Sequence, residues 1–124
     1  PDLTIAEAAE RAGISAHTIR YYERAGLLAP IERTDSGHRR FAAEDIEWIV
    51  VITKLRATGM PIRRIREYAE LVREGDGNEL ERLALLESHR EEVLRRLDEV
   101  QQNLELVDYK IALYRKRLDR SEAA

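Results

Sequence analysis

From Asn78 to about Leu118 the chain contains neither glycine nor proline, and this stretch limits the available folds more than any other feature. Leu86, Val93, Leu97, Val100, Leu104, Val107, Ile111, Tyr114 and Leu118 follow the alternating three- and four-residue spacing of a heptad, with Arg90 occupying the one skipped position. A helix of about 40 residues, rising 1.5 Å per residue, is roughly 60 Å long. Such a rod cannot bury its own seam, and packing back on the preceding residues covers only its beginning. The pattern therefore predicts a coiled coil. Val93, Leu97, Val100, Leu104, Val107, Ile111, Tyr114 and Leu118 are its dimerisation residues, and the partner is the same segment of a second copy.

Gly75-Asp76-Gly77-Asn78 is the clearest break, two glycines followed by an asparagine able to cap the next helix. The expected organisation is a compact domain over residues 1–75, a hinge at 76–78, the coiled-coil helix at 79–118 and a tail at 119–124. With 124 residues, 44% of them hydrophobic, the chain can bury one modest core. The net charge of -3 gives no global attraction to nucleic acid. Residues 1–75 are balanced at twelve basic against twelve acidic side chains, so any such binding must rest on local clusters.

The front part opens with Thr4-Ile5-Ala6-Glu7, a capping-box pattern, followed by Ile5, Ala8, Ala9 and Ala12 at helical spacing and Gly13 as the stop. An alanine-lined face lets a second helix approach closely. That second helix runs from the N-cap Ser15 to Gly26, with Ile19 and Tyr22 facing inward. His17, Arg20, Tyr21 and Arg24 recur at i, i+3, i+4 and i+7 and form one polar stripe without a carboxylate. Helix, short glycine-containing turn, helix is the helix-turn-helix arrangement, whose second helix enters the major groove. A cationic, donor-rich stripe suits that phosphate-lined setting, although a solvated helix face looks the same in isolation.

After Pro30, Arg33-Thr34-Asp35-Ser36-Gly37 is turn chemistry and Gly37-His38-Arg39-Arg40-Phe41 an extended piece, together predicting a small β-hairpin wing. Arg33, His38, Arg39 and Arg40 would stand near its tip, adding backbone contacts. Trp48-Ile49-Val50-Val51-Ile52 has strand propensity, but Glu44, Asp45 and Glu47 before it, apolar residues at 48, 52 and 55, and Gly59 after it favour a helix. Pro61 suits N1 of a following helix with Ile62, Ile65, Tyr68 or Ala69, and Val72 inward. Arg63, Arg64 and Arg66 crowd its first turns, where an external anion would offset their clash with the helix dipole.

Assembled, these pieces resemble a MerR-type transcription regulator. The resemblance covers essentially the whole chain. It is carried by Thr4-Ile5 with Ala8-Ala9, Thr18-Ile19-Arg20-Tyr21-Tyr22-Glu23, Gly26-Leu27-Leu28, Pro30, Arg33, Gly37-His38-Arg39-Arg40-Phe41, Asp45-Ile46, Leu55-Arg56-Ala57-Thr58-Gly59-Met60 and Ile65. It implies a mainly α fold, a winged helix-turn-helix domain with a second helical wing, and a long helix pairing antiparallel in a homodimer. It also implies that Thr18, Arg20 and Tyr21 meet double-stranded DNA from the recognition helix, with His17 at a variable position able to touch base edges. Arg33 and Arg39 would be wing phosphate contacts, and Arg56, Arg63 and Arg64 would form the second wing. His38 and Phe41 replace tyrosines frequent in the family, removing a hydroxyl at each place. Relatives of this kind act with RNA polymerase at promoters whose two recognition elements lie too far apart, bending and untwisting the spacer.

Other classes are narrowed by absences in the sequence. There is no cysteine, so disulfides, thiolate metal sites and a redox thiol are excluded, and the metal- and redox-sensing relatives that carry cysteines near the end of the long helix are not matched there. His17, His38 and His89 do not make a soft-metal site, and no cofactor is expected. No run is long and apolar enough to span a bilayer and no signal-peptide pattern opens the chain, so a cytoplasmic protein with no membrane partner is expected. The chain opens at Pro1 rather than methionine, so residues can precede it, and no separate drug-binding domain is expected after the coil. An unidentified small-molecule effector has one candidate place, beside Tyr68, Val72, Leu83 and Leu86, where ordinary junction packing is the competing reading. No carboxylate pair, nucleophile–base set or phosphate loop supports an enzyme. Two rival readings are a coiled-coil scaffold, which leaves the basic stripe unexplained, and an excisionase-like architectural DNA-binding protein, which would not need the long seam.

Overall fold

The computed structural model describes every residue except Pro1, Pro30, Glu32, Arg39 and Ala124, and every described side chain except that of Ala123. Among the described residues five helices follow one another: α1 (Ile5–Ala12), α2 (Ala16–Arg24), α3 (Ala43–Ala57), α4 (Ile62–Glu74) and α5 (Glu79–Ala123). They fall into two compact units, Pro1–Leu85 and Leu86–Ala124. Among the described residues no helix is long and apolar enough to cross a membrane.

Local chemistry sets the helix ends. The Thr4 hydroxyl accepts from the Glu7 N–H at 3.2 Å while the Glu7 carboxylate accepts from the Thr4 N–H at 3.0 Å, the reciprocal box expected from the sequence. The Thr4 backbone and hydroxyl bonds hold the Glu7 carboxyl below its ordinary value. Ser15 caps α2 by accepting from the Thr18 N–H at 3.1 Å, and Gly26, at φ 77°, turns the chain out after it. Ala42 has no capping side chain, but its N–H donates to the Asp45 carboxylate at 2.8 Å, so an acid in the first turn of α3 stabilises the helix start as anticipated. Pro61 sits at the N-cap of α4, one residue earlier than the N1 position expected of it. Its extended ψ of 146° explains the difference, because α4 acquires helical backbone only from Ile62.

In the first unit α1 packs on α2 and α3, and α3 on α4. Ala8, Ile19, Tyr22, Leu27, Phe41, Ile49, Ile52, Ile65 and Ala69 form its buried centre. Each large apolar side chain fully buried there contributes about 1.5–3 kcal/mol relative to exposure. In α3 the fully buried residues are Ile49 and Ile52. Trp48, beside them, is half-buried, stacks on Tyr68 at 5.7 Å between ring centroids, and donates its indole N–H to the Leu27 carbonyl at 2.8 Å. Its polar edge explains why it lies at the margin of the core rather than at its centre.

The wing differs from the expected β-hairpin. No strand is formed there among the described residues; a tight turn is closed by Gly37 N–H to Thr34 O at 2.9 Å and Thr34 N–H to His38 O at 2.7 Å. Phe41 then pairs with Leu3, exchanging both backbone bonds at 2.8 Å. Phe41, at the end of the extended return piece, thus finds a partner at the start of the chain.

The break before α5 is also used differently from a simple cap. The Asn78 side-chain amide donates to Leu71 O at 2.8 Å and to Glu74 at 3.2 Å, pointing back to α4, and the Gly77 N–H is taken by the Glu79 carboxylate. Those bonds hold the Glu79 carboxyl below its ordinary value, the backbone N–H of Glu79 itself contributing most. The Arg82 guanidinium donates to Leu71 O and Gly75 O, so the carbonyls at the end of α4 are gathered by residues of the next helix. α5 itself is 45 residues long and continues past Leu118 to Ala123.

Candidate nucleic-acid interface

α2 is the element that carries the candidate reading residues, and its burial follows the sequence pattern. Ile19 and Tyr22 are buried against the core, while His17, Arg20 and Arg24 are exposed and Thr18 and Tyr21 half-buried between them. Tyr22 is pinned at its far end, its hydroxyl 2.9 Å from that of Thr53, which in turn donates to Ile49 O. The inward face therefore has one fixed rotation, and the outward stripe inherits it. The Thr18 hydroxyl lies 2.9 Å from that of Ser15, so it is oriented at the helix start.

Three arginines from later helices close on α2, a place that the sequence alone assigns to none of them: it puts Arg56 in the second wing, groups Arg66 with Arg63 and Arg64, and gives Arg73 no role. Arg56, from the end of α3, lies over the Tyr21 ring at 5.4 Å and the Tyr22 ring at 5.6 Å from the centroids. It holds the two aromatics together and keeps its charge at the edge of the α2 stripe. Arg66 donates from Nε to Ala25 O at 2.8 Å, and Arg73 donates to Gly26 O at 3.2 Å. These two cations bind the carbonyl end of α2, where the helix dipole favours positive charge. Arg66 had been grouped with Arg63 and Arg64 as a basic cluster; its position at i+4 from Ile62 was the available signal that it faces a different way from Arg63.

The remaining candidates are dispersed. Arg33 donates to Gly37 O at 3.0 Å and so ties the wing turn to itself. His38 Nδ1 is 2.9 Å from the Ser36 hydroxyl, which also meets Thr34. Arg40 pairs with Asp2 at 2.6 Å, and Arg64 pairs with Glu67 at 3.4 Å, while Arg63 is exposed. Arg39 lies outside the described residues. The structure brings together the α2 stripe and Arg56, and leaves the wing and the start of α4 as separate basic points on the first unit.

Tyr68 is stacked on Trp48 and Leu83 is 52% exposed. The cleft nearby, about 520 Å³, runs between α4 and the start of α5 and is lined by Glu67, Glu70, Glu74 and Glu81 with Arg64, Leu71, Ala84 and Leu85. Four carboxylates make it unsuited to an anion. Among the described residues no group of three or more His, Asp or Glu is placed to hold a metal ion.

Comparison with known proteins agrees with this arrangement. The model of the MerR HTH family regulatory proteins matches residues 3–71, and a second, described as MerR, DNA binding, matches residues 46–108. An uncharacterised HTH-type transcriptional regulator of Haemophilus influenzae is 40% identical over 91% of this chain and 84% of its own. Among solved structures, a MerR family regulator from Listeria monocytogenes is 42% identical with a TM-score of 0.89, covering 97% of this chain and 91% of that one. HiNmlR, a MerR family regulator lacking the sensor domain and solved bound to promoter DNA, is 39% identical with a TM-score of 0.83, covering 94% and 92%. With its helix-turn-helix, its second basic segment and its long terminal helix all within those matches, the chain belongs to the MerR family of DNA-binding transcriptional regulators, not to an enzyme family.

Proposed function

We infer that two copies of the chain, joined antiparallel through α5, bind an inverted-repeat promoter operator and regulate transcription by bending and untwisting the spacer between the elements that RNA polymerase reads. The single observation that carries this reading is the pairing of a buried, rotationally fixed face of α2 with an exposed stripe of His17, Arg20 and Arg24, flanked by Arg56 over Tyr21. Thr18, Arg20 and Tyr21 make the principal contacts from the groove-entering helix, with His17 and Arg24 at its margins. Arg33, His38, Arg39 and Arg40 in the wing, and Arg56, Arg63 and Arg64 on the other side, anchor the phosphates. Bending a short site costs on the order of 1–6 kcal/mol, and separated anchors on each copy are what offset it.

The long helix supports two copies rather than one. Leu97, Val100, Leu104, Val107 and Leu118 are 44–65% exposed, a continuous apolar stripe that one chain does not cover. Net charge along α5 favours the antiparallel sense: residues 79–100 hold seven acids against four bases, and residues 101–123 hold five bases against four acids. Parallel helices would set like ends together, whereas antiparallel ones set acid beside base. A two-fold pair reads a two-fold site.

Footprinting upstream of the protein's own gene tests this reading. A protected inverted repeat inside an overlong promoter spacer, lost with Arg20→Ala, is the expected result. Equal affinity for any random duplex, or Arg20→Ala binding like the parent, would refute it.

A further inference from the structure

The seam of α5 carries one residue out of character. Leu97, Leu104, Ile111 and Leu118 form one set of heptad positions and Leu86, Val93, Val100, Val107 and Tyr114 the other; Arg90 stands in the first set. All lie in the unit Leu86–Ala124, and the apolar ones from Leu97 onward are 43–65% exposed. A cation in a seam is costly to cover unless it meets something that accepts it.

In an antiparallel pair each residue of the first set faces one of the second. We propose that Arg90 is a register pin: it lies against the partner's Tyr114 and fixes the alignment in which two α5 helices meet. This rests on the antiparallel homodimer inferred above. In that alignment Leu86 meets Leu118, Val93 meets Ile111, Leu97 meets Val107 and Val100 meets Leu104, so every seam position is layered. The Tyr114 ring already accepts a guanidinium on its own chain, Arg117 at 5.5 Å from the centroid, and the partner's Arg90 takes the other face.

Slipping one heptad fails in either direction. One slip sets Arg90 opposite Ser121 in place of a ring, Arg96 against Arg117 and Glu87 against Glu122. The opposite slip sets Arg90 against Val107, which has no ring, and brings Glu87 against Asp108. In the proposed alignment Glu87 flanks Arg115, and the two-fold axis passes by Gln101-Gln102-Asn103, the longest uncharged polar run of the helix. Residues beside the axis meet their own copies, so uncharged side chains there avoid repulsion. Arg96 and Lys110 remain like-charged neighbours, which leaves the seam, the axis and Glu87 with Arg115 to set the alignment.

The absence of cysteine makes the test direct. Gln101→Cys, treated with a short bis-maleimide, should link most of the dimer. Asp108→Cys should link several-fold less, because its two copies stand twelve residues apart along the axis, about 18 Å. Adding Arg90→Leu to Gln101→Cys should leave a dimer in sedimentation while linking falls several-fold as alignments mix. A dimer that does not link at position 101, or linking that Arg90→Leu leaves unchanged, would overturn the pin while leaving the dimer standing. A monomer in sedimentation would remove the dimer and the pin with it.

Discussion

Tyr22 does two jobs that differ in where they can be measured. Its ring fills the core at 1% exposure, and its hydroxyl, 2.9 Å from that of Thr53, fixes the rotation of α2. Tyr22→Phe keeps the ring and loses the bond, so stability should fall by about 1 kcal/mol, read as a lowered denaturant midpoint with an unchanged slope. No loss would mean the hydroxyl pair contributes nothing net. Glu7 offers a pH test. Its folded carboxyl is held below 4.5, the ordinary value, by the Thr4 backbone and hydroxyl. A carboxyl lowered in the folded state contributes stability above its unfolded pKa and loses it as pH falls through the folded one. The carboxyl titration of Glu7, followed by NMR, should therefore have its midpoint below 4.5, with the capping box weakening only on further acidification. A midpoint at or above that value would contradict the reciprocal cap.

At the scale of elements, the end of α2 is where backbone and side chain constrain each other. Gly26 has φ 77°, and a Cβ there would stand 3.3 Å from Arg66 Nε, the atom that binds Ala25 O. Gly13 has φ 73° with nothing within 4 Å of a Cβ. Both Gly→Ala changes carry a backbone penalty of about 1–2 kcal/mol, but only Gly26→Ala should also weaken DNA binding, because it displaces the clamp on the recognition helix. Equal effects on binding would refute the clamp. The helices themselves were legible from residues whose signals are local. Thr4 with Glu7, Ser15, and the acids before Trp48 identified starts correctly, and even the Trp48–Ile52 run yielded to its flanks. What escaped depended on partners distant in the chain. Phe41 pairs with Leu3, and Arg66 and Arg73 reach Ala25 and Gly26; no spacing rule encodes such contacts. The turn of the wing is legible because turn residues are local, whereas the pairing of Phe41 with Leu3 is not. Asn78 likewise has the composition of a cap, yet its amide is spent on Leu71 O, an acceptor visible only once the segment after Gly75 turns back onto the end of α4.

At the scale of the whole molecule, an uncovered seam and separated basic points make sense together only if copies pair. Leu104, 44% exposed in one chain, lies near the middle of that seam. Leu104→Glu would place a carboxylate of each copy among the partner's apolar residues, so the dimer should dissociate at micromolar strength while the first unit stays folded. Operator affinity should fall with it, since each half-site is then held by one copy alone. A Leu104→Glu protein that stays dimeric would move the interface off this stripe. The central claim is that two linked reading heads occupy one operator, and the mass of the protein–DNA complex tests it most directly. Light scattering on the footprinted duplex should give two chains per duplex, and Arg20→Ala should yield free DNA beside an intact protein dimer. One chain per duplex at saturation, with full operator affinity, would contradict the account.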